Sequence, residues 1–171
     1  AINVIGSLMG PLAVLLAGDE SQQQEYIAPF CDAKSGPTRR GSFAYAERTG
    51  GYALADILAT ARIEGNSYIV NGRKRDVIHG FHEPASSPRV VLLRMEGTSG
   101  LDGLCALMVP AHGEGITIRN DTLKPGLIAA PSASYDFVDA PVAASCMLGE
   151  PGNRGVMRAA TLYNILRAGC L

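Results

Sequence analysis

Ser67-Tyr68-Ile69-Val70-Asn71-Gly72-Arg73-Lys74-Arg75 is the stretch on which the fold class turns. Tyr, Ile and Val favour the pleated, half-buried environment of a strand. Asn-Gly is the strongest two-residue hairpin signal, because both residues tolerate the positive φ of a type I′ turn. A tight hairpin centred on Asn71-Gly72 is therefore expected, with the basic run opening the returning strand. Working outward, similar short runs occur at Ser42–Tyr45, Ile57–Ile63, Asp76–His79, Arg89–Met95, Leu104–Val109, Gly115–Arg119 and Ser134–Val138. Glycine and proline separate them. Strands of this length and spacing predict an antiparallel β-barrel or sandwich over residues 41–147, an α+β and mainly β fold with helical flanks.

The flanks read as helices. Residues 1–40 hold an apolar run, Pro11 to Ala17, that Gly18 would end as a C-terminal glycine. Asp19 supplies an N-cap for a second helix with Tyr26, Ile27 and Phe30 on one face. Ser35-Gly36-Pro37 marks the boundary to the β-region. Residues 148–171 open with Gly149-Glu150-Pro151-Gly152 and continue as a helix carrying Val156, Ala159, Ala160, Tyr163 and Leu166 on one side. That helix runs to Leu171 without a cap, as expected of a chain cut through it.

Composition narrows the function classes. The 171 residues are 47% apolar and only 18% charged, against roughly 25% charged in a typical domain. Such a surface predicts a covering partner. Fifteen basic against sixteen acidic residues give a net charge of −1, with no basic excess for nucleic acid. Ile2 to Ala17 is broken by Gly6, Gly10 and Pro11 and is shorter than the roughly 20 residues of a membrane span. It has no basic leader for export. Cys31, Cys105, Cys146 and Cys170 form no CxxC pair, which suits buried thiols in a reducing compartment, the cytoplasm or the mitochondrial matrix.

Isolated chemical motifs favour ordinary readings. His79-Gly80-Phe81-His82-Glu83 has metal-binding residue types in a glycine-containing loop with no further ligand, so a polar loop is expected and no metal. Arg73-Lys74-Arg75 reads as a solvated strand end in preference to a phosphate clamp. Asp102, His112 and Glu114 match an acid–base set only in composition and are expected at the surface. Asp136 and Asp139 are expected to solvate the ends of a strand. Neither a GxSxG elbow nor a Walker loop is present.

The order of motifs resembles the acyl-CoA dehydrogenase family over essentially the whole chain. Gly10-Pro11…Gly18-Asp19-Glu20…Gln23…Tyr26…Pro29 is similar to the close of that family's N-terminal helical domain. Phe43-Ala44-Tyr45-Ala46-Glu47…Gly51 is similar to its first flavin motif, Y-x-x-[ST]-E-x-x-x-G-[ST]-D. Ile57…Ala61, Tyr68-Ile69-Val70-Asn71-Gly72-Arg73-Lys74, Val109-Pro110…Gly113…Gly115-Ile116, Phe137-Val138-Asp139-Ala140-Pro141-Val142 and Leu148-Gly149-Glu150-Pro151-Gly152…Gly155 follow in the family's order. The resemblance implies the tail of a helical domain, a middle β-domain and the first helix of a C-terminal helical domain. It implies FAD as cofactor, with Phe43, Tyr45, Ala46, Asp76, Val77 and Ile78 at the positions of flavin contacts. Gly51, Tyr52, Asn164 and Arg167 fall on the acyl-CoA side.

Departures from the family pattern bear on activity. The hydroxyl residue that bonds the flavin in the family is Ala46 here, and the serine and aspartate after the motif glycine are Tyr52 and Ala53. The family's W-I-[ST] falls on Asp76-Val77-Ile78, so a ring against the isoalloxazine becomes a carboxylate and a hydroxyl becomes hydrocarbon. FAD binding by this chain is therefore in doubt. The glutamate that removes the α-proton lies in most members beyond the region matched here, and in others just before the conserved arginine, where Leu166 stands. No catalytic residue is assigned.

Three functions follow. One is a non-catalytic member of an acyl-CoA dehydrogenase-like assembly, pairing as a homo- or hetero-oligomer with related chains. A second is part of an active FAD-dependent enzyme that desaturates acyl thioesters at the α,β position. A third is an acyl-binding module without redox activity. Loss at both flavin segments favours the first.

Overall fold

A computed structural model describes residues 2–34, 39–48, 53–81, 87–122, 124–126 and 128–152. Two helices lead in, α1 (Ile2–Ala17) and α2 (Glu20–Tyr26), followed by a 3₁₀ turn at Ala28–Cys31 that carries Pro29 in its first turn. Seven strands follow: β1 (Ser42–Ala44), β2 (Thr60–Glu64), β3 (Ser67–Ile78), β4 (Arg89–Met95), β5 (Leu104–Met108), β6 (Ile116–Thr122) and β7 (Ser132–Ala143).

α1 contains Pro11, which has no amide to bond the Ser7 carbonyl one turn back. The Gly41 amide fills that acceptor at 2.9 Å. The helix therefore continues through the proline and is fastened to the chain just before β1. Met9, Ala13 and Val14 form its buried face, whereas Leu8 and Leu15 are exposed. Asp19 caps α2 through a reciprocal box with Gln22, as the sequence indicates. Gln22 then reaches across to donate to the carbonyls of Ser145 (2.8 Å) and Met147 (2.9 Å), tying α2 to the far end of the β-region.

The strands form one sheet in the order β1-β4-β2-β3-β7-β6, with β5 on the other side of β4. Two apolar clusters sandwich β4 and β5. Val91, Leu93, Cys105 and Leu107 meet Val70, Val77, Tyr135 and Phe137 from β3 and β7, so the sheet curls around this core. Val90, Leu92, Leu104, Ala106 and Met108 pack instead on Met9, Ala13 and Val14 of α1. Burial on both faces explains why residues 90–93 of β4 and Leu104–Met108 of β5 are unbroken apolar runs.

The expected strands are present, and the antiparallel barrel is corrected to a mixed, curled sheet. The pairs β2–β3, β3–β7, β4–β5 and β6–β7 are antiparallel, but β1 and β2 both run parallel to β4. Parallel partners need long connections, and residues 45–88 supply them. Among the described residues β5 and β6 do not pair with each other, so the sheet is not closed.

The hairpin also sits elsewhere. Asn71-Gly72 lies inside β3, and the tight turn is Gly65-Asn66, with Glu64 opposite Ser67 and Gly65 at φ +59°. Gly72 serves a different need: a Cβ there would sit 2.6 Å from the Ala59 Cα. The predicted strand at Ile57–Ile63 begins only at Thr60, after a 3₁₀ turn at Leu54–Asp56. Of the cysteines expected to be buried, Cys105 is buried, Cys146 half-buried and Cys31 exposed; Cys170 and the helix expected from Val156 lie outside the described residues. Among the described residues no helix is long and apolar enough to cross a membrane.

Candidate functional site

The two segments singled out for a cofactor meet at one edge. Tyr45-Ala46 leaves β1, and Asp76-Val77-Ile78 ends β3. β1 has no ladder with β3; its strand partner is β4. Among the described residues the segments are joined by a backbone hydrogen bond, Arg75 N–H to Ala46 O at 2.9 Å, and by the Lys74 Nζ donating to Tyr45 O at 3.3 Å. Phe43 and Val77 are buried in the two cores, so packing holds them. Tyr45, Ala46 and Ile78 are half-buried, and Asp76 is exposed.

A bulge shapes the β3 side. Lys74 faces Tyr135 and Val77 faces Ala133, so Arg75 and Asp76 together oppose a single residue of β7. Asp76 takes φ +53° and His79 φ +57°. These left-handed positions bracket Val77-Ile78 and are sparsely populated by non-glycine residues.

Behind the edge lies an ion pair that sequence reasoning missed. Lys74 was expected to be solvated with its arginine neighbours, yet its side chain is 0% exposed, whereas that of Arg73 is 69% exposed. Its Nζ donates to Glu47 Oε1 at 2.7 Å. Glu47 Oε1 also accepts the Ala59 amide (3.0 Å), and Oε2 accepts the Leu58 amide (2.9 Å). Burial alone would push the Glu47 carboxyl up. The ammonium and the two amides outweigh it and hold the carboxyl below its ordinary range. Burial pulls Lys74 down to about 8, against the favourable pull of Glu47. The missed signal is parity: Lys74 stands an even number of residues from Tyr68 and Val70 along β3 and so shares their face.

Arg94, also buried, completes the frame. It donates Nε to Ile57 O (3.0 Å), Nη2 to Ala55 O (2.6 Å) and Nη1 to Gly100 O (2.6 Å). Residues 55–59 are thus held by their carbonyls on Arg94 and by their amides on Glu47.

Beside the end of β3 is a recess of about 250 Å³ lined by Gly80, Phe81, Arg89, Ala111, His112 and residues 116–118. Pockets for drug-sized ligands occupy roughly 300–1,000 Å³, so it has room for a small group only. Tyr135 supports its floor, donating to Gly80 O at 2.8 Å and sharing a hydrogen bond with Ser42 Oγ at 3.2 Å. Burial pushes the Tyr135 phenol up to about 12, so it remains a donor.

The remaining candidates divide plainly. Asp102, His112 and Glu114 are at the surface as expected, and His112 lines the recess. His79 is buried, and no group of metal-ligating side chains exists among the described residues. Asp136 is corrected: it lies inside β7, largely buried, and pairs with Arg73 (3.2 Å) and Arg119. Asp139 also lies within β7, where its carboxylate accepts from Asn71 Nδ2 and its amide donates to Asn71 Oδ1, both at 2.9 Å. Gly51, Tyr52, His82, Glu83, Asn164, Leu166 and Arg167 lie outside the described residues.

No family profile matches the chain. It is 30% identical over 144 residues to the mitochondrial short-chain specific acyl-CoA dehydrogenase of Rattus norvegicus, covering 84% of this chain and 33% of that protein. It is 28% identical over 160 residues to the caffeyl-CoA reductase–Etf complex subunit CarC of Acetobacterium woodii, covering 94% of this chain and 40% of that one. The crystal structure of an acyl-CoA dehydrogenase from Geobacillus kaustophilus superposes with a TM-score of 0.73 at 28% identity, over 86% of this chain and 38% of that one. The chain spans about a third of the length of the rat enzyme.

Proposed function

The chain belongs to the acyl-CoA dehydrogenase family, and we propose that it is a non-catalytic member, acting as a subunit or part of a larger acyl-CoA dehydrogenase-like assembly. In domain terms we read residues 1–40 as the tail of a helical domain, 41–147 as the middle β-domain, and 148–171 as a linker leading into a C-terminal helical domain.

One observation carries this reading. At the edge where the resemblance puts the flavin, the side chains do not fit that group. Ala46 and Ile78 carry no donor, and Asp76 offers an exposed, acceptor-only carboxylate. The Arg75 amide beside them is already committed to Ala46 O. Each lost hydrogen bond is worth about 0.5–1.5 kcal/mol, so several losses together weaken binding by orders of magnitude. When bound, FAD supplies the hydride acceptor for acyl desaturation. An adjacent carboxylate opposes the negative charge of its reduced form. A role as subunit is supported by the low charge content and by the exposed Leu8 and Leu15 on α1.

The test is the visible spectrum and cofactor content of the full natural protein. Colourless protein without stoichiometric FAD, inert toward acyl-CoA thioesters, is expected. Yellow protein with one FAD per chain, bleached by an acyl-CoA, refutes the proposal. Sedimentation giving a lone monomer at high concentration overturns the subunit role.

A further inference from the structure

The edge formed by Tyr45-Ala46 and Asp76-Val77-Ile78 has little backbone reason to hold its shape. Among the described residues β1 and β3 share no ladder; the Arg75 amide donates a hydrogen bond to Ala46 O, and Glu47 stands in no more than an isolated bridge. β3 itself is bulged at Arg75-Asp76, immediately before the edge. The groups that do span the gap are side chains. Lys74 holds Tyr45 O and Glu47, and Glu47 holds the amides of Leu58 and Ala59. Glu47 follows Ala46 directly, and Lys74 precedes Asp76 by two residues, so both ends of the clamp abut the edge. A buried ion pair adds little stability over a hydrophobic isostere, because desolvation offsets its attraction. What it adds is a fixed distance between two charges, each satisfied in one geometry.

We infer that Glu47 and Lys74 are a positioning pair that sets the spacing between the Ala46 and Asp76–Ile78 segments. The frame of a cofactor edge is thereby kept in a chain whose side-chain ligands on that frame have been lost. The inference rests on reading this edge as the family's flavin edge. It adds that the edge is latent: its ligands can be restored by substitution, provided that the clamp is intact.

The experiment uses the full chain in two arms. In the first, amide hydrogen exchange is measured on the unaltered chain and on Lys74→Met. Exchange is expected to accelerate at least tenfold more at Leu58, Ala59 and Arg75 than at Leu92 and Leu107, whose exchange follows the stability of the whole fold. Uniform acceleration, or none at those three amides, overturns the positioning role. If Lys74→Met does not accumulate as folded protein, Lys74→Gln is read in its place, since it removes the ammonium and leaves both Glu47 oxygens to the Leu58 and Ala59 amides.

In the second arm, FAD is titrated by quenching of its fluorescence against the unaltered chain, the triple variant Ala46→Thr/Asp76→Trp/Ile78→Thr, and the triple variant with the clamp broken. The triple variant is expected to bind at least tenfold more tightly, and breaking the clamp to abolish that gain. Lys74→Arg in the triple background should recover part of it. A gain that survives the broken clamp overturns the inference. Localised exchange without any gain in FAD affinity overturns the flavin reading of the edge while the clamp stands.

Discussion

The Gly41 amide donates to the Ser7 carbonyl at 2.9 Å, the acceptor that Pro11 leaves empty in the middle of α1. Gly41 also lies directly against Pro11. A Cβ on Gly41 would lie 2.2 Å from the Pro11 Cδ, so the helix can approach β1 only because residue 41 has no side chain. The proline that ought to break the helix is part of the joint that docks it.

Gly41→Ala should therefore destabilise the protein by about 1–3 kcal/mol, the usual cost of overpacking a close contact. Gly126→Ala, where a Cβ meets nothing within 4 Å, is the control and should be nearly neutral. Urea denaturation followed by far-UV circular dichroism compares the two. Equal midpoints for both variants would show that α1 can shift without cost.

Arg94→Lys should be poorly tolerated although the charge is kept. The guanidinium serves the Ala55, Ile57 and Gly100 carbonyls from three different nitrogens in a fixed fork. An ammonium on a shorter stem cannot reach all three; the Ile57 carbonyl is the buried one, and leaving it unpaired costs about 1–3 kcal/mol. A loss of roughly 2 kcal/mol or more is expected in chemical denaturation. A variant within 0.5 kcal/mol of the parent would mean that water replaces the arginine.

Much of the strand layout was legible because glycine and proline bound short β-rich runs along the chain. The direction of pairing was not. β1 and β2 look like antiparallel meander strands, yet both lie parallel to β4, and nothing in Ser42–Ala44 or Thr60–Glu64 encodes direction. The turn was misplaced because Asn71-Gly72 and Gly65-Asn66 carry the same turn chemistry. Gly72 is required by the approach of Ala59, a contact between segments that local pattern does not record. Lys74 was readable in principle: its parity with Tyr68 and Val70 pointed inward, but flanking arginines disguised it as a solvated run. The resemblance led to Ala46 and Asp76–Ile78, which the structure does bring together. It includes Glu47 and Lys74 in two separate motifs but does not pair them, because a buried pair is defined by its partner.

Gln22→Glu should be worse than Gln22→Ala, the reverse of what an isolated helix would show. In a capping box glutamate and glutamine serve equally. Here the Gln22 amide nitrogen also donates to the Ser145 and Met147 carbonyls, and a carboxylate would face both with no proton to give. Gln22→Ala should cost about 1–2 kcal/mol through the lost cap and cross-tie. Glutamate should cost more, and the gap should narrow as pH falls and the acid protonates. Melting temperatures at pH 7 and pH 5 read both effects. A glutamate variant as stable as the parent at pH 7 would mean that α2 is not held by this contact.

The Glu47–Lys74 pair should impose a stability profile of opposite sense to that of a surface ion pair at alkaline pH. Glu47 has a folded-state pKa below its ordinary 4.5. Its contribution is present above that value and is lost as pH falls through the lower folded one. Lys74 has a folded-state pKa of about 8 against an ordinary 10.5. Between those values the unfolded chain binds more protons than the native one, so the contribution of Lys74 rises with pH. Deprotonation relieves the burial of an ammonium more than it costs in lost attraction. Cys105 works the other way, since burial pushes its thiol from an ordinary 9.0 up to about 12 and so lowers stability above pH 9, in parent and variant alike; the comparison between the two isolates Lys74. In Lys74→Met the rise between pH 8 and 10 should vanish, leaving a variant less stable than the parent by about 3–5 kcal/mol at pH 7 because Glu47 is then buried alone. Urea midpoints across pH 4–10 for parent and variant test this. Parallel profiles above pH 8 would show that Lys74 keeps its proton throughout and that the pair gains more from attraction than it loses to burial.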